Sequence, residues 1–127
     1  MNMDAEGQQS PATFVCYPKC STCAKARAWL HEHHIAFDER DIKTDNPTQA
    51  ELTLWHNLSG LPIRRMFNTS GQSYRRLDMK NRLPSMSVED AVEVLSTDGM
   101  LVKRPILLHD HQVLVGFNEE TWSQALL

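Results

Sequence analysis

The stretch Tyr17-Pro18-Lys19-Cys20-Ser21-Thr22-Cys23 places two cysteines in C-x-x-C spacing between a short apolar run, residues 13–17, and a helix-forming run, residues 24–34. A strand that feeds a cysteine pair into the first turn of a helix is the setting in which one thiol becomes an attacking thiolate and the other resolves it. A thiol at a helix N-terminus faces unpaired backbone N–H groups and the positive end of the helix dipole, and both favour thiolate. Cys20 is therefore the catalytic nucleophile candidate. Cys23 lies one turn deeper on the same side, at roughly the 5–6 Å Cα separation that a disulfide requires. It is the resolving candidate, and Cys20 with Cys23 is the candidate redox disulfide.

Outward from the motif, Cys23, Ala26, Leu30 and part of Trp29 form the buried stripe of the first helix, with Ser21 or Thr22 as its cap and Lys25, Arg27 and Glu32 outward. Residues 35–42 alternate in part and sit at the right distance to be a second strand, parallel to the first. Thr48-Gln49-Ala50-Glu51 is a capping box that opens a helix with Leu52, Trp55 and Leu58 inward, ended by Ser59-Gly60. Ser87-Val88-Glu89-Asp90 is a second box, with Val88, Ala91, Val92 and Leu95 inward and Asp98-Gly99 closing the helix. Residues 105–108 and 112–115 are β-prone and joined by His109-Asp110-His111 as a hairpin, and Asn118 caps a last helix through Trp122, Ala125 and Leu126. The order is β-α-β, helical insert, β-β-α, with C-x-x-C after the first strand. That is the thioredoxin-like α/β arrangement.

The chain has 127 residues, enough for one domain with a genuine core. Residues 1–12 read as a flexible N-terminal tail, residues 13–127 as a single domain, and residues 48–98 as its helical insert. With 41% hydrophobic and 23% charged residues it has the composition of a soluble globular protein, and no apolar run approaches the roughly 20 residues of a membrane span. The polar N-terminus carries no signal-peptide pattern, so a cytoplasmic location is expected. Three cysteines in a reducing compartment point to catalysis, redox sensing or metal binding rather than structural bridges. A zinc site of those cysteines with His31, His33 or His34 is weighed against the helix geometry, which sets the histidines roughly 15 Å from Cys20; a solvated helix end fits better. Cys16, four residues before Cys20, reads as a small core residue or as one that borders the site, with the core reading preferred.

The net charge of −3 gives no general affinity for nucleic acid or anionic lipid. The charge is uneven, however, with Arg64, Arg65, Arg75, Arg76, Lys80 and Arg82 crowded into residues 61–83 against Asp78 alone. Arg65, Arg75, Arg76 and Arg82 read as a solvated basic face. Arg104, in Lys103-Arg104-Pro105 before the third strand, reads differently. Thioredoxin-fold proteins place a cis-proline there, beside the attacking cysteine, and X-Pro is where a cis bond is cheap. Arg104 then points toward Cys20 and, with one arginine from Leu61-Pro62-Ile63-Arg64-Arg65, holds an oxyanion or stabilises thiolate.

Four stretches together, Tyr17 to Cys23, Phe67-Asn68-Thr69-Ser70-Gly71 with Tyr74-Arg75-Arg76-Leu77, Asp98-Gly99-Met100-Leu101-Val102-Lys103-Arg104-Pro105, and Val115-Gly116-Phe117, resemble the arsenate reductase-like (ArsC/Spx) family. The C-x-x-C followed by Lys25-Ala26-Arg27-Ala28-Trp29-Leu30 is especially similar to Spx-type proteins. The resemblance makes Cys20 the family's catalytic cysteine and aligns Arg64 and Arg104 with two of the anion-binding arginines of the glutaredoxin-coupled arsenate reductases. Gly116 falls where the third arginine belongs, and Cys16 stands in place of a histidine near the nucleophile. What the resemblance implies is a cytosolic thiol-disulfide oxidoreductase in which Cys20 attacks, Cys23 resolves and Arg104 assists. Its electrons come from a small thiol or a glutaredoxin- or thioredoxin-like reductant, with no metal or organic cofactor. The alternative is a redox-sensing Spx-like regulator that binds the C-terminal domain of the RNA polymerase α subunit, without strong contact to nucleic acid or membrane.

Overall fold

The computed structural model describes residues 11–127; the expected tail thus lies almost wholly outside the described residues. A four-stranded sheet of order β2-β1-β3-β4 forms its centre. β1 (Ala12–Cys16) pairs in parallel with β2 (Phe37–Asp41) and antiparallel with β3 (Ile106–His109), which pairs antiparallel with β4 (Gln112–Val115). The crossover between β1 and β2 is α1 (Ser21–Glu32), and α6 (Glu119–Leu126) follows β4. The insert consists of α2 (Gln49–Ser59), α3 (Gln72–Arg76), α4 (Met79–Arg82) and α5 (Val88–Leu95), with one 3-10 turn between α2 and α3 and another between α4 and α5. This is the thioredoxin-like fold expected from the element order.

Alternation along β1 divides the core. Ala12, Phe14 and Cys16 face α1 and α6 and pack with Cys23, Ala26, Trp29, Leu30 and Trp122. Val15 faces the other way, into a cluster with Leu52, Trp55, Met66, Phe67, Ala91 and Leu95 from the insert. Both sheet faces are thereby covered. The exposed edge strand β2 carries Asp38, Glu39 and Arg40, charges that discourage edge pairing with another chain.

The Thr48 capping box forms in full, with Glu51 N donating to the Thr48 hydroxyl and Thr48 N to the Glu51 carboxylate. Such a cap contributes about 1 kcal/mol. Three local expectations are corrected. Cys20 itself, rather than Ser21 or Thr22, occupies the N-cap of α1. Leu58 and Val88 are exposed rather than inward, at 43% and 46%, because α2 and α5 are short and each has enough apolar surface on its remaining positions to seat it. The helix after Ser87 stops at Leu95, and Asp98 instead caps the next 3-10 turn by accepting from Met100 N. Gly99 in that turn is required by packing, since a Cβ there would lie 1.8 Å from the Ile42 carbonyl oxygen.

Candidate functional site

The loop Tyr17–Cys20 closes with a hydrogen bond from Cys20 N to the Tyr17 carbonyl, and α1 begins directly after it. Pro18 and Lys19 are at its exposed tip. Cys20 is partly exposed, whereas Cys16 and Cys23 are buried, and all three are free thiols. Burial works against ionisation of Cys20. The backbone N–H groups of Cys23 and Thr22, the Cys23 thiol and the positive charge of Arg104 outweigh it, so its pKa falls below the ordinary thiol value. The arrangement makes Cys20 the thiolate of the site.

Cys23 lies beneath Cys20, and its Sγ accepts a hydrogen bond from Tyr17 N at 3.4 Å. Its pKa is pushed strongly upward, chiefly by its hydrogen bond with the Cys16 thiol, then by burial, with the neighbouring Cys20 charge adding to both. Adjacent thiolates in a low-dielectric interior repel, and with Cys16 and Cys20 both held below the ordinary thiol value, Cys23 between them keeps its proton.

Arg104 approaches from the opposite wall. The Arg104–Pro105 bond is cis, as expected, and Pro105 is buried just ahead of β3. The guanidinium donates through Nη1 to the carbonyls of Met100 at 3.2 Å and Val102 at 3.4 Å, and its Cζ lies 5.4 Å from the centroid of the Tyr17 ring. Stacking on an aromatic face fixes an arginine better than hydration does.

Around Cys20 opens a cleft of about 730 Å³ lined by Arg65, Arg75, Lys103 and Arg104, with Asn68, Gln72 and Asn118 among its polar neighbours. The structure thus brings Cys20 and Arg104 to one cleft, with Cys23 directly behind. Arg64 is exposed on the 3-10 turn Ile63–Met66 and does not line this cleft; its neighbour Arg65 does. Arg75 also faces it and is held by a bond from Nη1 to the Ser70 carbonyl. In the sequence Arg65 and Arg75 read as part of a solvated basic face, Lys103 carries no role and Asn118 reads only as the cap of the last helix, which it is. The signals in the sequence are the run Leu61 to Arg65, which offers one arginine to the site, and the Phe67 to Leu77 motif. Arg76 and Arg82 are engaged elsewhere, with the Ser73 hydroxyl and the Leu77 carbonyl. Gly116 lines the cleft with a left-handed φ of +75°.

Fold and site together define a thioredoxin-fold protein with a cysteine pair at the entrance of its first helix. The chain belongs to the ArsC family, whose model matches residues 16–125. It is 43% identical over 112 residues to the YusI protein of Bacillus subtilis, covering 88% of this chain and 95% of that protein. It is also 32% identical over 108 residues to the global transcriptional regulator Spx of Enterococcus faecalis, covering 85% and 80%. Among solved structures, an ArsC-family-related protein from Bacteroides fragilis superposes with a TM-score of 0.89 at 45% identity, over 92% of this chain and 98% of that one. Among the described residues no helix is long and apolar enough to cross a membrane.

Proposed function

We propose that this protein is a thiol-disulfide oxidoreductase of the ArsC family that uses Cys20 and Cys23 as its redox pair. The observation that carries the reading is the position of the two sulfurs: Cys20 on a cationic cleft at a helix N-terminus, Cys23 buried directly behind it on the Tyr17 amide. The Cys20 thiolate attacks one sulfur of a substrate disulfide, forms a mixed disulfide and releases the other half as a thiolate. Loss of the Cys20 charge removes one of the causes that keep Cys23 protonated. Cys23 then gives up its proton, attacks Cys20 Sγ and expels the second thiolate, leaving Cys20–Cys23 oxidised. A small thiol or a glutaredoxin- or thioredoxin-like protein returns the two electrons.

Arg104 stabilises the Cys20 thiolate, and with Arg65, Arg75 and Lys103 it makes the cleft suited to a substrate carrying negative charge. Mass spectrometry after mild peroxide treatment tests the pairing. A Cys20–Cys23 linkage together with disulfide reduction abolished by Cys20→Ser is expected. No bridge at all, or a bridge from Cys16 to Cys20, overturns the assignment.

A second reading is favoured by the identity to Spx across 80% of that regulator's length. In it the Cys20–Cys23 pair is a sensor, and the oxidised protein binds the C-terminal domain of the RNA polymerase α subunit. Pull-down of that purified domain by the oxidised but not the reduced protein, with no turnover of disulfides, distinguishes the regulator from the enzyme.

A further inference from the structure

Cys16 is a third thiol for which the exchange above has no use, yet its surroundings are more elaborate than a buried thiol needs. It ends β1 with no exposed surface, on the same face as Cys23. Its thiol donates toward Glu39 Oε2 at 3.4 Å and accepts from Arg27 Nη2 at 3.5 Å. Arg27 is itself tied to Glu39 by Nε to Oε1 at 2.7 Å and Nη2 to Oε2 at 3.0 Å. A cysteine serving only to fill space behaves as a small hydrophobe. This one has beside its sulfur a carboxylate that accepts its S–H in a hydrogen bond and a cation that offsets part of that carboxylate's charge.

The three sulfurs are ordered. Cys23 Sγ rests on the amide of Tyr17, the residue next to Cys16. Cys16 and Cys23 pack in one buried cluster, and Cys20 packs against it from the cleft. Cys23 is thus between the other two, in a row that leads from the cleft into the sheet.

We propose that Cys16 is the terminal thiol of a three-cysteine relay, which takes over the disulfide from Cys20 and stores it as Cys16–Cys23. The inference rests on the oxidoreductase reading, because it begins from the Cys20–Cys23 disulfide. Cys16 passes its proton to the Glu39 carboxylate, whose side chain is 40% exposed and hands it on to water. The Cys16 thiolate attacks Cys23 Sγ; the Cys16–Cys23 bond forms, the Cys20–Cys23 bond breaks, and its electron pair leaves on Cys20. One thiol and one disulfide become one disulfide and one thiol, so no further oxidant or reductant enters. Cys20 departs as a thiolate that the backbone N–H groups of the helix N-terminus and the Arg104 charge stabilise. The consequence is an oxidised protein whose cleft thiol is free to react again while its disulfide is shielded from reductants.

The test is differential alkylation of the full chain. Reduced protein is oxidised with one equivalent of a small disulfide, treated with iodoacetamide without denaturation, and mapped by mass spectrometry. The relay predicts molecules that carry a Cys16–Cys23 linkage and an alkylated Cys20. Cys16→Ser and Cys16→Ala, both small at a buried site, should still form Cys20–Cys23 but lose alkylation of Cys20 in the oxidised state. If both variants form Cys20–Cys23 and the oxidised unmodified protein also shows only a blocked Cys20, the relay is wrong and the oxidoreductase reading stands. If the Cys16 variants form no Cys20–Cys23 linkage, the oxidoreductase reading falls and the relay falls with it.

Discussion

Tyr17 holds both sides of the site: its ring lies 5.4 Å from the Arg104 guanidinium, and its backbone N–H donates to the Cys23 sulfur at 3.4 Å. The residue that begins the cysteine loop therefore aligns the cation in the cleft wall with the sulfur behind the nucleophile. Because Tyr17 belongs to the turn that leads into α1 while Arg104 precedes β3, the antiparallel pairing of β1 with β3 is what brings them together.

Arg104 lowers the pKa of Cys20 by direct charge interaction, as one of several contributions. In a Cys23→Ser background, where one cleft thiol reports, Arg104→Ala should shift the pH profile of iodoacetamide alkylation upward and slow the reaction near neutral pH. A partly exposed pair supplies on the order of 1 kcal/mol, which sets the slowing at about two- to fivefold. An unchanged profile would mean that the arginine acts on substrate alone.

The four cations of the cleft should select substrates by charge. Arg65 and Arg75 are exposed, so their effect is long-range and screened, with a Debye length of about 10 Å at 0.1 M salt. Replacing both with glutamate should lower kcat/KM for an acidic disulfide peptide by about tenfold at low ionic strength, and raise it for a basic one. Steady-state assays of the two peptides in low and high salt check this; equal losses for both would point to damage to the fold.

Much of this site could be read before any coordinates because its key parts are local. The C-x-x-C, the proline after Arg104, the Thr48 box and the hairpin around His109-Asp110-His111 each depend on a few consecutive residues and on backbone preferences those residues carry themselves. What escaped was set by tertiary packing. Arg64 and Arg65 are neighbours on a single 3-10 turn, and which of them meets the cleft depends on how the insert docks. Arg27 looks like an outward helix residue until β2 brings Glu39 beside it, and only then does Cys16 acquire its ionic partners.

Acid should reveal a structural ion pair on the face of the sheet opposite Cys16. Arg40 donates to Glu51 through Nη1 at 2.8 Å and Nη2 at 2.9 Å while its guanidinium lies over Trp55 at 5.7 Å. The hydrogen bonds from Arg40 hold the Glu51 pKa down, to about 2, against an unfolded value of about 4.3. A depressed carboxylate stabilises the fold fully above its unfolded pKa, and that contribution is lost as pH falls through the folded value. Glu51→Gln keeps an acceptor for Thr48 N but removes the charge. Because the Glu51 side chain is 36% exposed, the expected loss at pH 7 is only about 1 kcal/mol. Urea unfolding followed by circular dichroism should show the gap between variant and parent narrowing between pH 4 and pH 2.

Gly116 bears on whether this protein reduces arsenate. It occupies the place where the resemblance to arsenate reductases calls for a third arginine, and restoring that arginine is the obvious gain-of-function experiment. The backbone makes it costly. Gly116 has φ of +75°, its N–H donates to the Pro105 carbonyl at 2.8 Å and its carbonyl accepts from Trp122 Nε1 at 3.0 Å. A side chain in the left-handed region costs about 1–2 kcal/mol, and this backbone cannot turn away without giving up both bonds. The added Cβ itself meets only the far end of Lys103, at 3.2 Å from Cε, which moves easily. Gly116→Ala and Gly116→Arg should therefore lose similar stability, so alanine is the control for the charge. The unmodified protein, given arsenate with glutathione and glutaredoxin, should turn over little, because Cys23 behind the nucleophile closes on Cys20 and diverts it. If the missing cation also limits the reaction, Gly116→Arg should exceed Gly116→Ala in arsenate turnover at a temperature where both are folded. Robust turnover by the unmodified protein would show instead that the cations already lining the cleft suffice, and would make arsenate a substrate.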